Sequence, residues 1–253
     1  MDWTIEFDKA IEQYLPDLEV LQDEPMSRHT TFRIGGPAKR MAFPSSREQL
    51  VLLMSFAKDY GANPLVIGNG SNLLVPEEGL DRLVIDTSAN LNRVERGSGN
   101  TVLADAGATL ARTADLACKS GLTGLEFAHG IPGTVGGGVC MNAGAYGGEM
   151  KQVLRSAAVL FPEEGIRALS CEELNLSYRH SLLTEHPEAV VLYAEFELTP
   201  DDPEAIRAAM RLAPGEAMLL LDEVCYNRLC HPVMRSLSYY TNFFDFSILR
   251  KLL

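Results

Sequence analysis

The apolar pattern of the first ninety residues predicts two helices and several strands. An apolar face at helical spacing predicts a helix over residues 3–15, which Pro16 ends. Ser45 and Glu48 have the spacing of a capping box for a helix over residues 46–60 that ends at Gly61. The two faces are Trp3, Phe7, Ile11 and Tyr14, then Leu50, Leu53, Met54 and Ala57. Apolar runs predict a β-α-β-β-β module with strands over residues 41–43, 64–67, 73–75 and 82–86.

A turn-rich segment over residues 90–100 separates this module from a second one. A strand over residues 101–104 is followed by a helix that opens at Thr109 and ends at Gly121. A short helix capped by Ser170 and Glu173 and a last helix with Pro203 at its first position follow. Further strands are predicted over residues 153–161, 165–169 and 189–198. This order predicts an α+β fold.

The stretch from Gly130 to Gly148 contains eight glycines. Each glycine weakens regular structure by roughly 0.5–1 kcal/mol relative to alanine, so a core element would not need so many. The pattern indicates tight turns whose backbone comes close to a ligand, with N–H groups free to donate to an anion. Tight turns without any ligand are the alternative.

A second stretch, Pro64–Leu74, has the pattern of a buried strand that runs into a Gly-Asn-Gly-Ser-Asn turn. Gly68 and Gly70 permit positive φ, and a strand that delivers backbone N–H groups at its C-terminal end is a common way to hold a pyrophosphate. The turn is neither a GxGxxG fingerprint nor a Walker A loop, because the third glycine and a Gly-Lys-Ser/Thr run are missing. The common mononucleotide motifs are thereby excluded.

Composition and charge argue against nucleic acid, metal and membrane as partners. The 253 residues are 46% hydrophobic and 22% charged, as in ordinary globular proteins, and can form one large domain or two small ones. A net charge of −12 without a basic cluster argues against nucleic-acid binding. The five cysteines lack zinc spacing, even at Cys225, Cys230 and His231, so we expect no metal and reduced thiols. The acidic N-terminus and the lack of a long apolar run predict a cytoplasmic chain with no membrane partner.

Five motifs in order now point to one family. They are Thr30–Pro37, Gly68–Leu74, Gly130–Gly137, Asn142–Gly147 and Tyr178-Arg179. Over roughly residues 25–210 the chain closely resembles the UDP-N-acetylenolpyruvoylglucosamine reductases, flavoenzymes of peptidoglycan precursor synthesis. The resemblance implies an FAD-binding fold of the PCMH type, shared with vanillyl-alcohol oxidase-like proteins. It implies two FAD-binding subdomains (25–88 and 89–210) after an N-terminal helix and link (residues 1–24), and an atypical tail (211–253) stands in place of the family's substrate domain.

The resemblance also assigns cofactor residues by position. The turn that would hold the FAD pyrophosphate consists of Gly68, Asn69, Gly70, Ser71, Asn72 and Leu73. The adenosine and flavin portions would be lined by Gly107, Ala108, Gly130, Ile131, Pro132, Gly133, Thr134, Gly136 and Gly137. Arg33, Gly35 and Gly36 would close the site.

The family reaction reduces an enolpyruvyl ether on a UDP-sugar with hydride that comes from NADPH by way of FAD. Negative charge spreads onto the substrate carboxylate, so a fixed cation beside it stabilises the transition state more than the ground state. Arg179 matches the family's arginine, and its planar fork suits a carboxylate; a surface arginine is the alternative. Asn142 and Tyr146 are expected to face the substrate or the flavin edge, with plain core packing as the alternative for Tyr146.

The resemblance stops at about residue 210. The family's third domain, with a Gly-Ser-x-Phe-Lys-like run that carries a serine proton donor and with a late glutamate, has no counterpart in residues 211–253, and neither Ser236 nor Ser238 has the right context. Loss of a general acid lowers a rate by roughly 10²–10⁴-fold, so we expect FAD binding with weak turnover. The alternatives are a non-catalytic FAD-binding remnant and another flavin oxidoreductase of the same fold. The sequence does not fix an oligomeric state.

Overall fold

The computed structural model describes residues 2–212. The helices are α1 (Trp3–Tyr14), α2 (Arg47–Asp59), α3 (Leu110–Lys119), α4 (Val135–Cys140) and α5 (Pro203–Leu212). The strands are β1 (Glu19–Pro25), β2 (Pro37–Phe43), β3 (Leu65–Ile67), β4 (Leu80–Asp86), β5 (Val94–Arg96), β6 (Thr101–Asp105), β7 (Leu122–Thr123), β8 (Gly144–Ala145), β9 (Gly148–Glu149), β10 (Leu154–Phe161), β11 (Gly165–Ser170), β12 (Val190–Glu197) and β13 (Thr199–Pro200). The predictions for the tail beyond residue 212, including Ser236, Ser238 and Cys225, lie outside the described residues.

The first sheet has the strand order β1-β2-β4-β3. β1 pairs antiparallel with β2, whereas β2 and β3 both pair parallel with β4. The C-terminal ends of β3 and β4 therefore meet at one edge, where ligands commonly bind in sheets of parallel strands.

The second sheet has the order β11-β10-β12-β6-β5 and is antiparallel throughout. Helices α3, α4 and α5 contribute side chains to the core on one face of it. A second core includes residues of α1, α2 and β4 together with Leu160 and Leu192 of β10 and β12. The two sheets therefore share a hydrophobic core, while a third, smaller core lies around Met26, Met41 and Val84.

The predicted helices over 3–15, 46–60 and 109–121 form as α1, α2 and α3, and the predicted apolar face of α2 is buried. The cap of α2 is displaced by one residue, because the helix begins at Arg47. Ser46 accepts the Gln49 N–H at 3.1 Å, and the Ser45 N–H donates to the Gln49 side chain at 2.6 Å. The predicted capping pair of Ser45 and Glu48 is therefore wrong.

The structure differs from the expected elements at four other places. Residues 73–75 are not a strand but continue the loop after β3, where the Val75 side chain packs beside Gly35. The turn-rich segment 90–100 contains β5, and residues 19–25 form β1. Ser170 and Glu173 do exchange capping-box hydrogen bonds of 2.8 and 3.2 Å, but the chain makes only a turn there, because Asn175 takes a left-handed conformation (φ 48°).

The glycine-rich centre contains a helix as well as turns. α4 starts directly after Thr134, and two of its glycines lie where a side chain would meet neighbouring residues. A Cβ on Gly136 would lie 3.0 Å from the Ala106 Cβ, and one on Gly138 would lie 3.2 Å from the Met150 side chain. Close packing thus explains glycines that the sequence pattern assigned to turns. None of the described helices is long and apolar enough to cross a bilayer.

Candidate functional site

A cleft of about 430 Å³ lies at the edge where β3 and β4 end. Gly68 and Asn69 follow β3 directly, and Asp86 is the last residue of β4. The cleft is lined by Arg28, His29, Thr30, Thr31, Arg33, Gly68, Asn69, Asp86 and Ser88. The site therefore forms at the C-terminal ends of parallel strands, as the β3 turn predicts.

The turn after β3 lies against the segment 28–34. A Cβ on Gly70 would lie 2.0 Å from the His29 carbonyl oxygen, and Gly70 has φ +59°. The Thr31 N–H donates to the Gly70 carbonyl at 3.2 Å. Only glycine fits at position 70, because the His29 backbone comes so close. The hydrogen bond to Thr31 uses the Gly70 carbonyl and none of the N–H groups of the turn.

The two glycine-rich stretches are in contact. A Cβ on Gly68 would lie 2.1 Å from the Thr134 Oγ1, and one on Gly133 would lie 3.8 Å from the Ser71 Oγ. Thr134 is buried and directly precedes α4. The second stretch thus meets the first beside the cleft.

The turn that contains Gly107 and Ala108 joins the same cluster. A Cβ on Gly107 would lie 1.9 Å from the Thr87 carbonyl oxygen. The N–H groups of Val135 and Gly136 donate to the carbonyls of Ala108 and Ala106, both at 2.8 Å. The start of α4 is therefore bound to the end of β6.

These hydrogen bonds correct one expectation. The amides of Ile131, Gly133 and Gly136 donate to the carbonyls of Ala128, Ile131 and Ala106. They are not free donors for an anion, so the expectation of free N–H groups is wrong for these three residues. Pro132 and Gly137 of the same stretch are exposed.

Basic side chains and carboxylates lie close together at the cleft. Arg33 is exposed at the end of a turn that its N–H closes onto the Thr30 carbonyl at 3.1 Å. His29 Nε2 lies 3.0 Å from Glu24 Oε1, and His29 Nδ1 lies 3.8 Å from Asp86 Oδ2. Asp86 is buried and accepts the Ser88 N–H at 2.7 Å. His29, Asp86 and Ser88 were not predicted, although Asp86 ends a predicted strand and His29 precedes a predicted motif.

Gly35 and Gly36 are not among the residues that line the cleft. A Cβ on Gly35 would lie 2.7 Å from the Val75 Cβ, and one on Gly36 would lie 2.0 Å from the Glu77 carbonyl oxygen. Close packing accounts for both glycines, and Leu73 packs partly buried beside the same small core. Their contact with a cofactor stays a prediction.

The Tyr178–Arg179 turn is a two-residue hairpin. The N–H groups of Ser177 and His180 donate to each other's carbonyls at 3.0 and 3.1 Å. Arg179 has φ 54° and is partly buried, whereas Tyr178 is exposed. The turn thus gives the arginine a fixed backbone rather than a place on a flexible loop.

Asn142 and Tyr146 lie on the segment after α4. The Asn142 side chain donates to the Ser177 carbonyl at 3.0 Å and to Glu149 at 2.9 Å, and it accepts the Lys151 N–H at 3.0 Å. The Tyr146 hydroxyl is buried and has no hydrogen-bond partner among the described residues. The Asn142 side chain thus connects three segments of the chain, whereas the Tyr146 hydroxyl is buried without a hydrogen bond to the described residues. Substrate contact by either residue stays a prediction.

Left-handed backbone marks several of these residues. Among residues 2–212, seven non-glycine residues have positive φ, and only Arg33, Tyr146 and Arg179 of these are neither Asn nor Asp. Such residues are uncommon and collect at functional sites. All three were selected from the sequence as site residues.

Comparison with known proteins agrees with this geometry. The family model described as FAD binding domain matches residues 38–170. The UDP-N-acetylenolpyruvoylglucosamine reductase of Agathobacter rectalis is 45% identical over 215 residues, which cover 81% of this chain and 68% of the relative. The reductase of Limosilactobacillus reuteri is 45% identical over 195 residues, which cover 77% of this chain and 64% of the relative.

Solved structures also match this chain. The crystal structure of the reductase from Thermus caldophilus matches with a TM-score of 0.64 and 33% identity, over 77% of this chain and 67% of that one. Alkyldihydroxyacetonephosphate synthase matches with a TM-score of 0.58 at 19% identity, over 77% of this chain and 43% of that one, and shows the PCMH-type fold alone. The chain spans about two thirds of the length of the reductases it matches. It belongs to the UDP-N-acetylenolpyruvoylglucosamine reductase family and carries that family's FAD-binding domain.

Proposed function

We propose that this chain binds FAD where the two glycine-rich stretches meet and uses it to reduce UDP-N-acetylglucosamine enolpyruvate with NADPH. The product would be UDP-N-acetylmuramate, a cytoplasmic precursor of peptidoglycan. The contact between Gly68 and Thr134 carries this proposal, because it brings two distant parts of the sequence to one cleft. Family membership supplies the reaction class.

The chemistry of the cleft fits a cofactor with two phosphates. Arg28 and Arg33 supply positive charge at the cleft, and Gly68 and Asn69 of the turn after β3 line it. A pyrophosphate needs converging donors and close backbone approach more than it needs a lysine. We place the pyrophosphate at Gly68–Leu73 and the rest of FAD along Gly107, Ala108 and Gly130–Gly137, with Gly35 and Gly36 behind Arg33. Bound FAD supplies the hydride-transfer chemistry that protein side chains lack.

Arg179 is proposed as the catalytic cation. Its guanidinium would hold the substrate carboxylate by two hydrogen bonds and stabilise the charge that develops there during reduction. Partial burial strengthens such an interaction, because water screens it less. Tyr146 would meet the substrate or the flavin edge through its hydroxyl, which has no hydrogen-bond partner in the described chain.

The proposed reaction has two half-reactions. NADPH first reduces FAD, and the reduced FAD then passes hydride to the enolpyruvyl substrate, which also takes up a proton. The sequence expectation of weak turnover concerns the second half-reaction, so each half-reaction is followed by itself.

An anaerobic experiment tests the proposal in steps. The purified chain is loaded with FAD, NADPH is added, and the flavin absorbance near 450 nm is followed. We expect the absorbance to fall, and then to return slowly when the enolpyruvyl substrate is added in slight excess. A protein that binds FAD but is not reduced by NADPH would be a non-catalytic remnant. A protein that retains no FAD would contradict the proposal itself.

A further inference from the structure

Ser181 connects the Arg179 turn to the glycine-rich helix. Its side chain is fully buried, and its Oγ donates to the Cys140 carbonyl at 2.6 Å. The same Oγ accepts the Leu183 N–H at 3.2 Å. Cys140 is the last residue of α4, so one hydroxyl ties the chain just after Arg179 to the end of that helix.

Asn142 makes a second connection from the other side of the turn. Its amide donates to the carbonyl of Ser177, the residue that closes the two-residue hairpin with His180. Asn142 is itself buried and held by Glu149 and Lys151. The backbone on both sides of Arg179 is thus bound to residues 140–142.

The other end of α4 lies at the cofactor cleft. Thr134 precedes the helix and contacts Gly68, and the Gly136 N–H donates to the Ala106 carbonyl. Six helical residues rise only about 9 Å, so α4 is a short rigid link between cleft and turn. We infer that Ser181 and Asn142 are positioning residues, which clamp the Tyr178–Arg179 turn to α4 and so fix the Arg179 guanidinium relative to the cofactor. This inference rests on the proposed function.

A positioning role and a purely structural role of Ser181 and Asn142 predict different effects of substitution. A clamp acts on the Arg179 turn and leaves the cofactor cleft intact, whereas a residue that only stabilises the fold affects both. Misplacement of a catalytic group by about 1 Å can lower activity by up to roughly 100-fold. The clamp variants should therefore separate substrate recognition from FAD affinity.

Hydrogen exchange of the FAD-loaded full chain measures the clamp directly. We expect Ser181→Ala and Asn142→Gly to raise the exchange of amides 177–180 by roughly tenfold while β12 stays protected. Glycine at position 142 keeps the left-handed backbone (φ 44°) without strain, so only the side-chain bonds are lost. Thr101→Val is the matched control, since Thr101 is also buried with its hydroxyl bound to a carbonyl, that of Ser98 at 3.0 Å. Unchanged exchange at residues 177–180 in both variants would overturn the inference.

A titration with the enolpyruvyl substrate gives the functional measurement. Substrate binding is followed through the shift it causes in the flavin absorbance. We expect the half-saturating substrate concentration to rise ten- to hundredfold in Ser181→Ala, with the Kd for FAD within about twofold of the unmodified chain. A parallel loss of FAD affinity would also overturn the inference. A lack of any shift in the unmodified chain would contradict the proposed function instead, and the exchange experiment would then decide the clamp.

Discussion

Arg33, Tyr146 and Arg179 hold a backbone conformation that costs of the order of 1–3 kcal/mol for residues with a side chain. Neighbouring bonds must hold it in place. The Thr30 hydroxyl, bound to the Ile34 carbonyl at 2.9 Å, closes the turn at Arg33, and the Ser177–His180 pair does so at Arg179. In the turns at Arg33 and Arg179, the strained residue carries a charged side chain and the residues on both sides are held by hydrogen bonds. All three are site residues predicted from the sequence, and of the three Arg33 lines the cleft.

The effect of a steric contact at Gly70 can be distinguished from the effect of its positive φ. Gly70→Ala would place a Cβ against the His29 carbonyl, and we expect FAD affinity to fall at least roughly tenfold with a stability loss of about 1–3 kcal/mol. Gly99→Ala is the control, because Gly99 has nearly the same φ (+62° against +59°) with nothing within 4 Å of the new Cβ. Flavin fluorescence titration and thermal unfolding measure both quantities. Equal FAD affinities in the two variants would show that the His29 contact does not shape the cleft.

Tyr146 carries a hydroxyl whose partner, on our proposal, is a ligand. Tyr146→Phe removes a buried hydroxyl without a hydrogen bond, so the free energy of unfolding should be unchanged or rise by up to about 1 kcal/mol. Substrate titration of the FAD-loaded chain should nevertheless show roughly tenfold weaker binding. Tyr14→Phe, at an exposed position of α1, is the control. Unchanged substrate affinity would leave Tyr146 as packing alone.

At the scale of elements, the prediction from sequence succeeds where one face of an element meets the core. α2 shows this, because Leu50, Leu53 and Ala57 repeat at helical spacing and are all fully buried. It fails for β1, which has no alternating burial and is fixed by pairing with β2. It fails in part for α4, whose glycines are set by contacts with Ala106 and Met150 that no local pattern reveals. Long-range pairing and close approach account for these errors.

The contact between the two glycine-rich loops predicts energetic coupling. Gly68→Ala would bring a Cβ within 2.1 Å of the Thr134 Oγ1, whereas Thr134→Ala removes that atom. We expect the double variant to recover part of the stability lost in Gly68→Ala, with a coupling energy of about 1–2 kcal/mol. Urea unfolding of the four proteins of the cycle measures it. Additive effects would mean that the loops do not touch in solution.

The turn after β11 predicts a pH dependence of stability. Hydrogen bonds from the Ser170 N–H and then from its hydroxyl lower the pKa of the Glu173 carboxyl. A pKa lowered by folding contributes stability above the ordinary glutamate pKa of about 4.3, and this contribution is lost as the pH falls through the lower folded pKa. Glu173→Gln should therefore lose less stability than the unmodified chain between pH 6 and pH 3, as urea midpoints would show. Glu172→Gln neutralises the neighbouring exposed carboxylate as a control, and an equal effect there would contradict the role of Ser170.

For the whole molecule, the sequence motifs locate the cleft in part, since Arg33, Gly68 and Asn69 of the predicted cofactor residues line it. Glycine turns at residues 68–73 and 130–137 are visible as motifs, and the structure brings them together. His29 and Asp86 also line the cleft, but a place beside a motif or at the end of a predicted strand does not mark a site residue by itself, because their role depends on how β1, β4 and the segment 28–34 meet. The predicted division at residue 88 likewise depends on how the sheets share their core, and it stays a prediction.

That division can be tested through Arg47, which joins the two sheets. Arg47 of α2 forms an ion pair with the buried Asp105 of β6 and lies over the Tyr193 ring of β12 at 4.1 Å. Since the sheets also share a core, we expect residues 2–212 to unfold in one transition that FAD shifts upward as a whole. Arg47→Ala leaves Asp105 without its cation and should lower the free energy of unfolding by about 2–4 kcal/mol.

Calorimetry and urea unfolding measure these effects. Arg93→Ala is the control, because the Arg93 side chain pairs with Glu95 at the surface and should contribute about 0.5 kcal/mol or less. Two transitions, with FAD shifting only one of them, would mean that the subdomains fold independently and that the shared core does not couple them. A single transition that Arg47→Ala splits into two would instead identify this ion pair as the link that makes the sheets unfold together.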